Sequence, residues 1–198
     1  MNLLIDDLPH SIYIKDKEYA INWGFRTAIL YEMMMLDNEV LAEEKPLLAL
    51  RLFYPTIPDD WQEALEGIQW FYRCGEEERG KRKKRGRNTN QDRIYSFDYD
   101  APYIYSAFLG QYGIDLNEVD RLHWWKFKAL FQGLNEDCAI SKIMGYRAVD
   151  INSVGKEQMD FYKKMKEQYA IPISKTEQEK QEALEQALMG DGKLKGIL

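Results

Sequence analysis

The stretch from Asn117 to Leu134, NEVDRLHWWKFKALFQGL, constrains the fold of this chain more than any other, because read as a helix it is apolar on nearly every side. At about 100° per residue, Val119, Leu122, Trp124, Trp125, Phe127, Ala129, Leu130 and Phe131 spread over an arc of roughly 260°, leaving a polar strip of Arg121, Lys128 and Gln132. A helix of that kind has to be covered on almost all sides, which makes it the centre of a bundle. Asn117 or Asp120 can open it and Gly133 helps to close it. The fold class that follows is mainly α: a helical bundle with a short N-terminal β-hairpin and an exposed basic loop.

The remaining segments supply the elements to surround that centre. Ile12, Ile14, Tyr19 and Ile21 recur at period two around the polar tetrapeptide Lys15-Asp16-Lys17-Glu18, which predicts the hairpin. WGFRTAILYEMMMLD, after Asn22 as a usable N-cap, predicts a first helix. PLLALRLF predicts a second, started by Pro46 and stopped by Tyr54-Pro55-Thr56-Ile57-Pro58, since proline has no N–H and restrains its predecessor. Asp59 with Gln62 three residues on resembles a capping box, and Trp61, Ala64, Leu65, Ile68, Phe71 and Tyr72 then trace one helical face. Further helices are expected from Asp100, as a possible N-cap, to Gly113, over NEDCAISKIMGYR to about Gly145, and over SVGKEQMDFYKKMKEQY. Ser174-Lys175-Thr176-Glu177 opens a last capped segment.

From Gly75 to Asp92 there is no large apolar residue, so nothing there offsets the entropy of ordering a packed element. Between Arg73 and Arg93 nine basic residues stand against four acidic ones, a local charge of +5 in a chain whose net charge is −6. The expected organisation is a helical domain over residues 1–174, interrupted by a flexible basic loop at 75–93, and a C-terminal helix or tail at 175–198. The 198 residues suit one domain, and no run approaches the roughly 20 apolar residues of a membrane span. The start, MNLLIDDLPH, has acids where a secretory signal carries Lys or Arg, so a cytosolic protein with no membrane partner is expected.

Candidates for chemistry are sparse. Cys74, Cys138, His10 and His123 are too few for a disulfide framework or an ordinary zinc site, and neither metal nor cofactor is expected. His123 with Asp120 three residues before it could be imagined as a base and its orienter, but no nucleophile has a recognisable setting nearby, and a structural histidine is the plainer reading. Glu136-Asp137 suits a helix N-terminus. No phosphate-binding loop, H-E-x-x-H or G-x-S-x-G pattern occurs, and the chain is not expected to be an enzyme. Lys81, Arg82, Lys83, Lys84, Arg85 and Arg87 could attract a phosphate backbone, yet the run lacks interleaved aromatics and the rest of the chain is acidic. Nucleic-acid binding is therefore not the expected role.

The excess of apolar helix surface points elsewhere. Met33-Met34-Met35 offers unbranched, adaptable side chains, and with the Trp124–Phe131 helix and YIYSAF it leaves more apolar surface than one small domain readily covers. Met33, Met34, Trp124, Trp125 and Phe127 are accordingly the expected partner-binding residues.

The hairpin entering a Trp-Gly-Phe-Arg helix, YPTIP followed by DDWQEALEGIQWFY, the polar insert, FDYDAPYIYSAFLGQYGIDL, and LHWWKFKALFQGL leading into IMGYRAVDI together resemble a family of small proteins from the tail-morphogenesis cluster of long-tailed phages and prophages of Gram-positive bacteria. The likeness runs over residues 3–152, and HWWKF is its most specific part. Members are taken as tail assembly chaperones, encoded just ahead of the tape measure gene. The resemblance implies a non-catalytic, mostly helical protein that binds the tape measure protein, helps to recruit the tail tube protein, and self-associates around its client. It also implies a place in the host bacterial cytoplasm and absence from the mature virion. A structural tail or head-tail connector component is the alternative, and a DNA-binding protein using the basic loop ranks below both.

Overall fold

The computed structural model describes residues 2–76 and 93–172. It is mainly α. A two-stranded antiparallel hairpin, β1 (Ser11–Ile14) and β2 (Lys17–Ala20), precedes seven helices among the described residues: α1 (Phe25–Leu36), α2 (Lys45–Phe53), α3 (Trp61–Tyr72), α4 (Ala101–Tyr112), α5 (Trp124–Gln132), α6 (Ala139–Ala148) and α7 (Lys156–Gln168). The basic run at 77–92 and the capped segment at 174–198 lie outside the described residues.

The hairpin turn is tighter than the polar tetrapeptide implies. Lys15 and Asp16 alone form it, both with positive φ (46° and 63°), as a two-residue turn of the primed type requires. Lys17 and Glu18 already belong to β2, paired with Ile14 and Tyr13. Ile12 and Ile14 point inward and lie against α3. The approach is close at Gly67, where a Cβ would come within 2.8 Å of Ile12 Cγ2.

Several helix starts differ from the sequence reading, each for a visible reason. Asn22 does not cap α1; its amide donates to Leu52 O at 2.8 Å and its backbone N–H to Phe53 O at 2.8 Å, which sends the helix start to Phe25. The cap of α3 is Asp60 rather than Asp59, its side chain accepting from the Glu63 N–H. Asp100 does not cap α4 with its carboxylate, which turns inward to Arg147. The central helix begins at Trp124, not at Asn117 or Asp120. Residues before it are held as turns because Asp115 Oδ1 takes the Asn117 and Glu118 N–H groups, while the Arg26 guanidinium takes the carbonyls of Leu116, Asn117 and Val119. Gly145 does not end α6, which continues to Ala148.

The starts of α1 and α5 are tied together by an isolated bridge between Gly24 and His123, with Phe25 N–H on Leu122 O and Trp124 N–H on Trp23 O, each at 3.0 Å. From that knot α5 runs through the middle of the bundle. Phe127, fully buried, stacks on Phe25 (5.1 Å between ring centres) and on Phe108 of α4 (4.9 Å). One hydrophobic core thus joins the hairpin, the helices α1 to α6 and the segment around Phe97. The wide apolar arc is legible in this arrangement: α5 is covered by α1, by the C-terminal end of α3 and by α4.

Candidate partner-binding surface

Three of the residues singled out for partner contacts are interior. Trp124, Trp125 and Phe127 are 2%, 4% and 0% exposed, so they seal the core and form no outer surface. The indoles explain why: Trp124 donates its Nε1–H to Tyr72 O at 2.8 Å and Trp125 to Phe71 O at 2.7 Å, tying both rings to the last turn of α3, where the Phe71 carbonyl also accepts the Cys74 N–H at 3.0 Å. Trp124 also stacks on Tyr72 at 5.3 Å. Met33 and Met34 are half-buried against the same core, while Met35 is the more exposed of the three. Of the five, the three on α5 are therefore core residues, and Met33 and Met34 keep part of their surface free.

His123 is the N-cap of α5. Its Nδ1 accepts from the Trp125 N–H at 3.1 Å, so the ring proton sits on Nε2, 3.0 Å from the carbonyl of Pro9. Burial holds its proton affinity below the ordinary imidazole value. With both nitrogens occupied and Trp23 stacked at 5.6 Å, this histidine is structural. Glu32 is half-buried, and its Oε2 accepts from the hydroxyls of Tyr72 and Tyr95. Burial and that carboxylate push both phenols well above their usual range. Cys74 is pushed up to about 11 by burial, which leaves its thiol protonated at neutral pH. No group of three or more His, Cys, Asp or Glu residues among the described residues is placed to hold a metal ion, and no helix among them is long and apolar enough to cross a membrane.

Exposed aromatic residues lie on the hairpin and on α3, and also at Tyr99, Tyr103 and Phe161. Tyr13 is 67% exposed, Trp61 48% and Trp70 38%. Trp61 belongs to the face read as buried, and the reason it is not is the one-residue shift of the cap, which puts it at the first position of the helix with Lys15 bridging to Asp60 beside it at 2.7 Å. Tyr13 and Trp70 were not distinguished by sequence. Their signal was there: Glu63, Glu66 and Trp70 fall at i, i+3 and i+7, so a large aromatic side chain sits on the acidic face of an otherwise amphipathic helix.

These residues border two open clefts between hairpin and helix. One, of about 390 Å³, is lined by Ser11, Ile12, Tyr13, Glu63, Glu66, Gly67 and Trp70. The other, of about 530 Å³, is lined by Ile14, Lys15, Lys17, Tyr19, Asp59, Asp60 and Trp61. The first carries Glu63 and Glu66 with no basic side chain in its lining, whereas the second sets Lys15 and Lys17 against Asp59 and Asp60.

The model of the bacteriophage Gp15 protein family matches residues 4–171. The chain belongs to that family. The match takes in every element of the Gp15 fold described above, from the hairpin to α7. No curated protein and no solved structure matches this Gp15-family chain.

Proposed function

We propose that this phage protein is a non-catalytic tail assembly chaperone, which binds the tape measure protein and helps to recruit tail tube subunits in the host bacterial cytoplasm. The observation that carries the reading is the exposure of Tyr13, Trp61 and Trp70 on a fold whose interior is already complete without them. Large aromatic side chains kept in water are costly unless a partner covers them, and they are the residue types that dominate binding energy once it does. Membership of a bacteriophage family supports a role in phage assembly, and the resemblance to tail assembly chaperones suggests the tape measure protein as the client. A net charge of −6 keeps such a surface soluble while the partner is absent, and self-association lets several weak copies hold one long chain.

The test is co-expression with the tape measure polypeptide of the same phage, followed by a solubility assay and a pull-down. The expected result is a soluble complex and a protein missing from purified virions. Stoichiometric copies in the virion would make it instead a structural tail or head-tail connector component.

A further inference from the structure

We propose that the cleft between β1 and α3 receives a lysine- or arginine-bearing segment of the partner polypeptide, its cation between the Glu63 and Glu66 carboxylates and its apolar flank on Tyr13 and Trp70. The inference deepens the chaperone reading and rests on its premise that a partner polypeptide is bound.

Three features of the cleft point to that ligand chemistry. First, Glu63, Gly67 and Trp70 occupy successive turns on one face of α3, so the carboxylate and the indole edge stand on either side of a position with no side chain. The floor there is Ile12 of β1, close enough that any Cβ at 67 would collide with it, so the apolar contact at the bottom is fixed by the backbone. Second, neither carboxylate has a cation within ion-pair distance among the described residues. Among the described residues Glu63 accepts a long bond from the Lys15 backbone N–H at 3.4 Å and feels the Lys15 ammonium without pairing with it, and Glu66 accepts one bond from Gln62 Nε2 at 3.3 Å. Asp60, at the neighbouring cleft, already holds Lys15 at 2.7 Å and has no such vacancy. Third, Tyr13 and Trp70 line the same space, and a cation held beside a carboxylate and against an aromatic ring gains from both. A guanidinium or ammonium on an apolar stem fits this combination; a carboxylate or phosphate is repelled by it.

The experiment titrates a dye-labelled amphipathic peptide of leucine and lysine into the full chain and reads fluorescence anisotropy, with a leucine and glutamate peptide of the same pattern as control. Binding of the lysine peptide is expected, and it should weaken about tenfold in the variant Glu63→Gln/Glu66→Gln. The variant Glu43→Gln/Glu44→Gln, which removes the same charge from an exposed site outside the cleft, should change it less than about twofold. Circular dichroism verifies that each variant is folded, and Tyr13→Ala, a change at an exposed position, should weaken binding independently of the carboxylates. Equal losses in the two double variants, binding of the glutamate peptide, or no binding of the lysine peptide overturns the proposal. Because the titration contains no tape measure polypeptide, it can fail while co-expression succeeds, which overturns the cleft and leaves the chaperone reading standing. Peptide binding that succeeds where co-expression fails supports the cleft and removes the chaperone reading.

Discussion

Asp100 and Arg147, 47 residues apart in the chain, meet as a two-pronged ion pair, with Oδ2 2.5 Å from Nη1 and Oδ1 2.9 Å from Nη2. Both side chains are withdrawn from water, at 2% and 8% exposure. The same guanidinium donates to the carbonyl of Ile94 at 3.0 Å and, through Nε, to that of Tyr169 at 2.6 Å. The Asp100 carboxylate in turn accepts the Ser96 N–H at 2.8 Å. One side chain on α6 thus holds the entry to α4 and the end of α7.

Removing one member of this pair should be worse than removing both. Asp100→Ala leaves a buried, uncompensated guanidinium and is expected to cost about 3–5 kcal/mol of unfolding free energy. Asp100→Ala combined with Arg147→Met should recover part of that loss. Denaturant melts of the wild type and the two variants check it, and a double variant less stable than Asp100→Ala would refute the charge argument.

Gly67→Ala should loosen the hairpin. Its new methyl meets Ile12 Cγ2 at 2.8 Å, and that group is a branch of a buried side chain that cannot swing aside. The expected cost is about 1–3 kcal/mol, the usual range for overpacking, although alanine is the better helix former. Ile12→Val paired with Gly67→Ala does not remove Cγ2 and should not rescue it, whereas Ile12→Ala should recover a fraction in a thermal melt.

The two classes of tryptophan should differ widely in what truncation costs. Trp125→Ala removes a buried ring and its bond to Phe71 O, and should cost about 3–5 kcal/mol. Trp61→Ala, at the exposed start of α3, should change stability by less than about 0.5 kcal/mol. Partner binding through the exposed aromatic residues reverses the ranking among variants that remain folded.

Acid should weaken the start of α5 in a specific window. His123 is held neutral, its folded proton affinity lying below the ordinary value, chiefly through burial; the bond to Pro9 O opposes that shift, and His10 and Lys126 add to it. Its contribution is therefore fully present above about pH 6.5 and is lost as pH falls through the lower folded value, because the unfolded chain takes up the proton first. Protonation also places a hydrogen on Nδ1, where the Trp125 N–H now points. Asp60 and Asp115, held below the usual carboxylate range by their hydrogen bonds, act only at lower pH. Melting temperatures at about pH 7.5 and 5 should fall further apart for the wild type than for His123→Asn, which keeps a capping oxygen without titrating.

Periodicity and helix-breaking residues made most of the bundle legible. The apolar arc of the Trp124–Phe131 stretch marked its central helix, the two prolines around Thr56 marked the end of α2, and Gly113, at φ 65°, marked the end of α4. What could not be read were contacts that act at a distance. Nothing local says that Arg26 holds carbonyls 90 to 93 residues away, and without that clamp a helix beginning at Asn117 is the better local solution. The same holds for the surface. A wide apolar arc is equally consistent with a central helix and with an interface, and the pairing of two indoles with α3 carbonyls decides for the interior. Trp70 was harder, because its place among acids on α3 becomes meaningful only when β1 lies beside it.

The indole bonds from α5 to α3 also set a schedule for synthesis. Their partners are 52 and 54 residues apart, so during translation the last turn of α3 leaves the ribosome before either indole that will bond to it. At about 5–20 residues per second the wait is roughly 3 to 10 s. For that interval the first half of the chain is an aromatic-rich nascent peptide with an open side, and its solubility then depends on the charge around it, not on the core it will later own.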